Sequence, residues 1–286
     1  MQGHLEAAVG PQGYVLHGQD ALEWEAWEAP WHGASAKLSR AEEHYWSLHS
    51  EVWQYLSEVP PEIRFENSPD LGADWYTMWV KFSQPSIRIA IIFGDMVANL
   101  RSALDHSLTA THRRAGRRAQ FPIFDDEAEF DDKFADRWLA DQGPQELIDI
   151  LRPLQPFGRT IDVEVHEHWL RMLATINNSD KHLTLVLTAN AIADDRLSGH
   201  TINSPVPVAA SQWYPLPQGP DQRIGAEQFK FLAVRIPHLP DGAELKFQAP
   251  VFASVAVEDF QNILEVAWVL LSSTATMTGK LKTRLG

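Results

Sequence analysis

The chain has 286 residues, 44% of them apolar, enough for one large domain or two small ones with a proper core. It contains no cysteine, which excludes disulfides, cysteine-ligated zinc and thiol catalysis and fits a reducing compartment. Its net charge of −14 disfavours general nucleic-acid binding. The acidity is concentrated early, however. Residues 1–80 hold 13 acids and 3 bases against 25 and 21 in the rest, so a local basic site further along is compatible with the composition.

Residues 1–33 contain Gly, Pro and scattered Trp without a sustained period, and read as an irregular N-terminal arm. The start lacks the basic and apolar regions of a signal peptide, and the run "IAIIF" at 89–93 is far short of a membrane span. A cytoplasmic protein without membrane association is therefore expected. From about 35 to 58, Leu38, Ala41, Tyr45, Leu48, Val52 and Tyr55 recur at helical steps, with Ser39 and Glu42 as a candidate capping box. Pro60 and Pro61 stop that helix.

Two short strands, about 62–67 and 74–82, follow around a Pro/Asp/Gly turn. A long helix is expected over 86–115, then an extended "FPIF" at 121–124. Helices are expected at 125–141, with acids crowded at its start, at 144–152 and at 163–179. Strands are expected at 183–193, 229–236, 243–248 and 250–255, with a long Pro/Gly/Gln-rich loop at 203–227. The last helix, 257–282, carries a stripe of Phe260, Leu264, Ala267 and Leu271, with Ile263 and Leu270 beside it. The fold class is α+β, mainly α: a helical bundle with a small antiparallel β-sheet inserted at about 183–255. Residues 34–286 read as a single domain.

The stretch "GDMVANLRSALDH" (94–106) is the most informative. On a helical wheel, Asp95, Asn99, Ser102 and His106 form one stripe, and Gly94, Ala98, Arg101 and Asp105 form the next. Yet this helix opens with "IRIAIIF", apolar nearly all round, as a buried helix does. A central helix with a polar face must pair its charges or line a cavity, because unpaired buried charge costs several kcal/mol. A second cluster, "NNSDKH" (Asn177 to His182), sits where a helix is expected to end. It reads either as C-terminal capping or as Asp180, Lys181 and His182 turned toward the first cluster, supplying base, orienting carboxylate and cation.

"RSALDH" gives an R-x4-H spacing from Arg101 to His106 on a helix, and so resembles the HEPN superfamily of helical proteins, many of which are ribonucleases. The resemblance implies a metal-independent site, usually across a homodimer. Arg101 would hold the scissile phosphate of single-stranded RNA, and His106 would move a proton. The wider layout resembles a family of uncharacterised bacterial proteins and implies no activity. "HRRAGRR" (112–118) offers Arg113, Arg114, Arg117 and Arg118 as an anion-binding rim.

Nucleotide-loop, nucleophile-elbow and zinc-protease motifs are missing from the sequence. "HEH" at 166–168 directs its two rings apart. No cofactor is expected, although Asp95, Asp105, His106, Asp180 and His182 would suit a divalent ion if they converge. The expectations are therefore a phosphate-directed hydrolase of the ribonuclease kind, a small-molecule enzyme with an enclosed polar pocket between the two clusters, or a non-catalytic binding protein.

Overall fold

The computed structural model describes residues 29–58, 62–72, 74–81, 83–111, 120–158, 168–182, 187–192, 202–203, 212–215, 228–235, 246–247, 252–257 and 262–286. The N-terminal arm up to residue 28 and the "HRRAGRR" segment lie outside them. Two compact units divide the chain: one comprises residues 1–21, 52–86 and 186–263, the other 22–51, 87–185 and 264–286. No helix among the described residues is long and apolar enough to cross a membrane.

The second unit is helical. Helix α1 (His32–Glu58) starts earlier than its candidate capping box, which leaves Ser39 in the helix interior. The buried stripe simply continues backward from Leu38 through Ala34 to Trp31, whose carbonyl accepts from the Ala34 and Ser35 amides. Helix α2 (Ile87–Thr111) is the central one, with twelve buried residues including Phe93, Met96, Leu100 and Leu104. Each such large apolar side chain taken out of water contributes about 1.5–3 kcal/mol.

Helix α6 (Trp169–His182) packs on α2 and buries Leu170, Met172, Leu173 and Ile176. Helix α7 (Ile263–Leu285) starts after the expected position, because residues 252–257 are strand. Ile263, Ala267, Leu270 and Leu271 of the expected face are buried, as is Leu281, whereas Leu264 is half-buried and Phe260 lies outside the described residues. The α7 residue Trp268 meets Tyr45 of α1 with ring centroids 5.6 Å apart.

Between α2 and α6 lies a compact aromatic corner. Helix α3 (Glu127–Phe130), a π-helical turn (Asp131–Ala135) and α4 (Asp136–Ala140) make up the helix expected at 125–141. The π turn places Phe130, Phe134 and Trp138 in sequence, with Phe134 stacked on Trp138 at 5.6 Å and Phe130 meeting Phe124 at 6.0 Å. Helix α5 (Gln145–Leu151) runs into a 3-10 turn at Arg152–Leu154. The acids crowded at 125–131 are accounted for locally. Asp126 caps α3 by accepting from the Glu129 amide at 2.9 Å. Asp125 pairs with Arg171, and Glu127 and Asp131 both bond Arg152, whose guanidinium also sits 5.3 Å from the centre of the Phe130 ring.

The other unit holds the strands β1 (Glu62–Asn67), β2 (Trp75–Lys81), β3 (Leu187–Ile192), β4 (Ile202–Asn203), β5 (Gln212–Pro215), β6 (Gln228–Arg235), β7 (Lys246–Phe247) and β8 (Phe252–Val257). They form a four-stranded antiparallel sheet in the order β1-β2-β6-β5, with two-stranded pairs β3-β8 and β4-β7. The early hairpin thus shares a sheet with β5 and β6 of the later β-rich stretch, while the other four strands of that stretch pair apart from it. Two strands, β4 at its start and β5 further on, fall in the segment expected to be a loop at 203–227. The Pro/Gly/Gln-rich composition of that segment reads as loop, but β5 is an edge strand, where the missing N–H of Pro215 can be tolerated.

Candidate functional site

The two polar stripes of α2 have different tasks. The Arg101/Asp105 stripe is occupied by "FPIF", the extended segment that leads to α3. Asp105 Oδ1 accepts from the Phe121 amide at 2.7 Å, and Arg101 Nη2 donates to the Phe121 carbonyl at 2.7 Å. Arg101 and Asp105 are themselves 3.4 Å apart, so the pair brackets one peptide residue on both sides. Further along, buried Gln155 donates to the Pro122 carbonyl at 3.1 Å and accepts from the Phe124 amide at 3.0 Å. Phe121 and Pro122 are buried without belonging to any strand. Their backbone groups need partners, and three side chains supply what a neighbouring strand would have supplied. Burial lowers the Arg101 guanidinium below the usual arginine range, and Asp105 partly offsets that.

The Asp95/Asn99/His106 stripe faces α1, which runs antiparallel to α2. Arg88 Nε bonds Glu51 at 2.8 Å, His44 feels the Asp95 carboxylate, and Lys37 Nζ donates to Asn99 Oδ1 at 3.2 Å. Asn99 is oriented by its own donation to the Asp95 carbonyl at 2.8 Å. At the end of the row, His106 lies against Gly33, where a Cβ would come within 2.7 Å of the imidazole Nδ1. These rungs form a ladder at the edge of the α1/α2 seam. Asp95 and His106 are exposed, and Lys37, His44, Asn99 and Ser102 are half-buried. The His44 imidazole is held below the ordinary histidine value, first by burial and then by Arg40, against the opposing pull of Asp95 and Glu43.

Arg101 and His106 therefore do not form one pair. Five residues on a helix separate two side chains by about 140°, and here one meets Phe121 while the other meets Gly33. Lys37 and His44 were not singled out from the sequence. The signal was present as a seven-residue spacing, Lys37, His44 and Glu51 on α1 opposite Arg88, Asp95 and Ser102 on α2, the pattern of flanking charges on a two-helix seam.

The second cluster, Asn177 to His182, is helical to its end, so capping at 179 is replaced by continuation of α6. Asn177 is buried and Asn178 exposed, while the side chains of Asp180, Lys181 and His182 lie outside the described residues. Of "HEH", only His168 is described. Its Nδ1 accepts from the Leu170 amide at 3.3 Å at the start of α6, and burial keeps the ring below its ordinary value. No three His, Asp or Glu side chains among the described residues group as metal ligands.

Fold and site together define a mainly α protein with a small antiparallel β portion and a polar ladder open along one helix seam. Comparison with known proteins finds no matching family model, no matching curated protein and no matching solved structure.

Proposed function

We propose that the protein acts on a small anionic molecule at the α1/α2 ladder, with proton transfer as its chemistry. One observation carries this reading: a cation, an imidazole whose proton affinity is lowered by burial and a carboxylate share one solvent-open edge, in Lys37, His44 and Asp95. Lys37, already steered by Asn99, would take the anionic group. His44, with its proton affinity reduced, would be the base at neutral pH. Asp95 would orient the resulting imidazolium. Arg101 and Asp105 would position α2 through Phe121 and would not touch the substrate.

The experiment is a thermal-shift screen of small carboxylates and phosphates on the intact chain, repeated on Lys37→Ala and His44→Gln. A ligand whose stabilisation Lys37→Ala abolishes supports the ladder. Turnover of that ligand lost in His44→Gln supports the chemistry. A ligand that stabilises all three proteins equally would sink the reading.

Metal-independent cleavage of single-stranded RNA is the second reading, favoured by the exposure of His106. It requires Arg101 to exchange the Phe121 carbonyl for a phosphate oxygen. RNA cut in EDTA by the intact chain, with DNA inert and with both Arg101→Ala and His106→Ala folded but inactive, would move the function there.

A further inference from the structure

A groove of about 210 Å³ lies between the start of α6 and one face of α7, away from both polar stripes. Trp169 and Leu154 form one side, and Ser273, Thr276, Met277 and Lys280 the other. Residues 273, 276, 277 and 280 recur at three- and four-residue steps, so a single face of α7 supplies them all. Their chemistry is graded along the helix. Two hydroxyls come first, a thioether sits beside the second, and an ammonium follows one turn later. Seven residues span about 10 Å of helix axis, the scale of a small ring with a charged substituent.

Each wall component favours the same kind of guest. Trp169 is half-buried and ring-stacked on His168 at 6.2 Å, which holds the indole as a fixed panel. An indole held in this way offers a flat, polarizable surface to another ring, and a thioether makes favourable contacts with ring edges. Lys280 is exposed and enters no ion pair among the described residues, so its charge is available to a ligand. Ser272 donates its hydroxyl to the Trp268 carbonyl at 2.8 Å, which leaves Ser273 and Thr276 as the hydroxyl donors of this face. As for size, an apolar cavity of about 150 Å³ takes benzene, while drug-sized ligands need about 300 Å³ or more. This groove lies between the two.

The geometry points to a binding site for a single-ring aromatic carboxylate, its ring on Trp169 and Met277, its carboxylate on Lys280, and a polar ring substituent at Ser273 or Thr276. The site is independent of the ladder and does not rest on the function proposed there.

The test is titration of the full chain with benzoate and 4-hydroxybenzoate by calorimetry or saturation-transfer NMR, beside the neutral isostere benzamide and the non-aromatic cyclohexanecarboxylate. Dissociation constants on the order of 1 mM are expected for ligands this small. Benzoate should bind about threefold more tightly than benzamide, since the ion pair with exposed Lys280 is lost. Lys280→Ala should weaken benzoate about threefold, as loss of an exposed ion pair does, and Lys280→Arg should restore most of the affinity. Lys280 is exposed, so folding is not at stake. Thr276→Val should reduce the preference for 4-hydroxybenzoate over benzoate, and Lys37→Ala should change nothing. Equal binding of benzoate and benzamide, indifference to Lys280→Ala, or loss of binding in Lys37→Ala would each overturn the proposal.

Discussion

The two stripes of α2 lie side by side on the same helix and both carry charged residues, yet they solve opposite problems. The Arg101/Asp105 stripe is closed: each group meets a backbone partner on Phe121, and little of the guanidinium reaches water. The Asp95/Asn99/His106 stripe is open: its partners are side chains of α1, and water reaches every rung. A charged residue in a helix is therefore not informative by type or spacing. What decides its role is whether the surface opposite it has unmet hydrogen bonds. "FPIF" has them, because Phe121 and Pro122 are buried without belonging to a strand. The α1 helix has none, because its backbone bonds are internal, so only its side chains answer.

The comparison breaks most easily at Asp105. Asp105→Ala leaves the Phe121 amide unpaired and a largely buried arginine without its carboxylate, and should destabilise the protein by about 2–4 kcal/mol in urea unfolding. A loss under about 0.5 kcal/mol would mean that the bracket is incidental.

Next comes Gln155→Leu, which removes the bonds to Pro122 and Phe124 but keeps an apolar volume. It should cost about 1–3 kcal/mol and should fail to add with Asp105→Ala, because both hold one segment. Strict additivity would separate the two anchors.

Acidification gives a third, smaller contrast. Burial lowers the pKa of His44, His49 and His168, so the folded chain takes up protons less readily than the unfolded one. Stability should be flat above the unfolded histidine value of about 6.5 and decline as pH falls below it. A urea midpoint that rises between pH 7 and pH 5.5 would contradict this.

The smallest effects belong to the ladder. Lys37→Ala and Asn99→Ala should each change stability by less than about 1 kcal/mol, because water reaches this half-buried pair and can replace the lost bond. A larger loss in either would show that the ladder is as structural as the bracket, and would weaken the proposed function.

The sequence made the helices and the early hairpin legible because their evidence is local. The stripe from Leu38 to Tyr55 and the buried opening of α2 follow from apolar spacing, and the strands expected at 62–67 and 74–82 follow from the Pro/Asp/Gly turn between them. Strand β5 was hidden because a proline and a short length suggest a loop when one cannot see that the strand is an edge. The roles of Arg101 and His106 were hidden for a related reason. R-x4-H fixes a distance along the chain but leaves two side chains about 140° apart, and Phe121 and Gly33 are 20 and 73 residues removed from their partners. Lys37 and His44 belong to the site by virtue of the antiparallel seam, which one helix read by itself does not reveal.

The bracket on "FPIF" also sets a clock. Amide protons in segments without helix or strand ordinarily exchange with solvent quickly, because nothing must open first. Here the Phe121 and Phe124 protons are held by Asp105 and Gln155, at opposite ends of four residues that carry no secondary structure. Their release requires α2 and the 3-10 turn after α5 to let go of the segment, so they should exchange on the timescale of the helical core and not of a loop. In a deuterium-uptake map, two slow positions would stand out within an otherwise irregular stretch. They would report on whether the corner between α2 and α5 opens as a piece of the core or ahead of it.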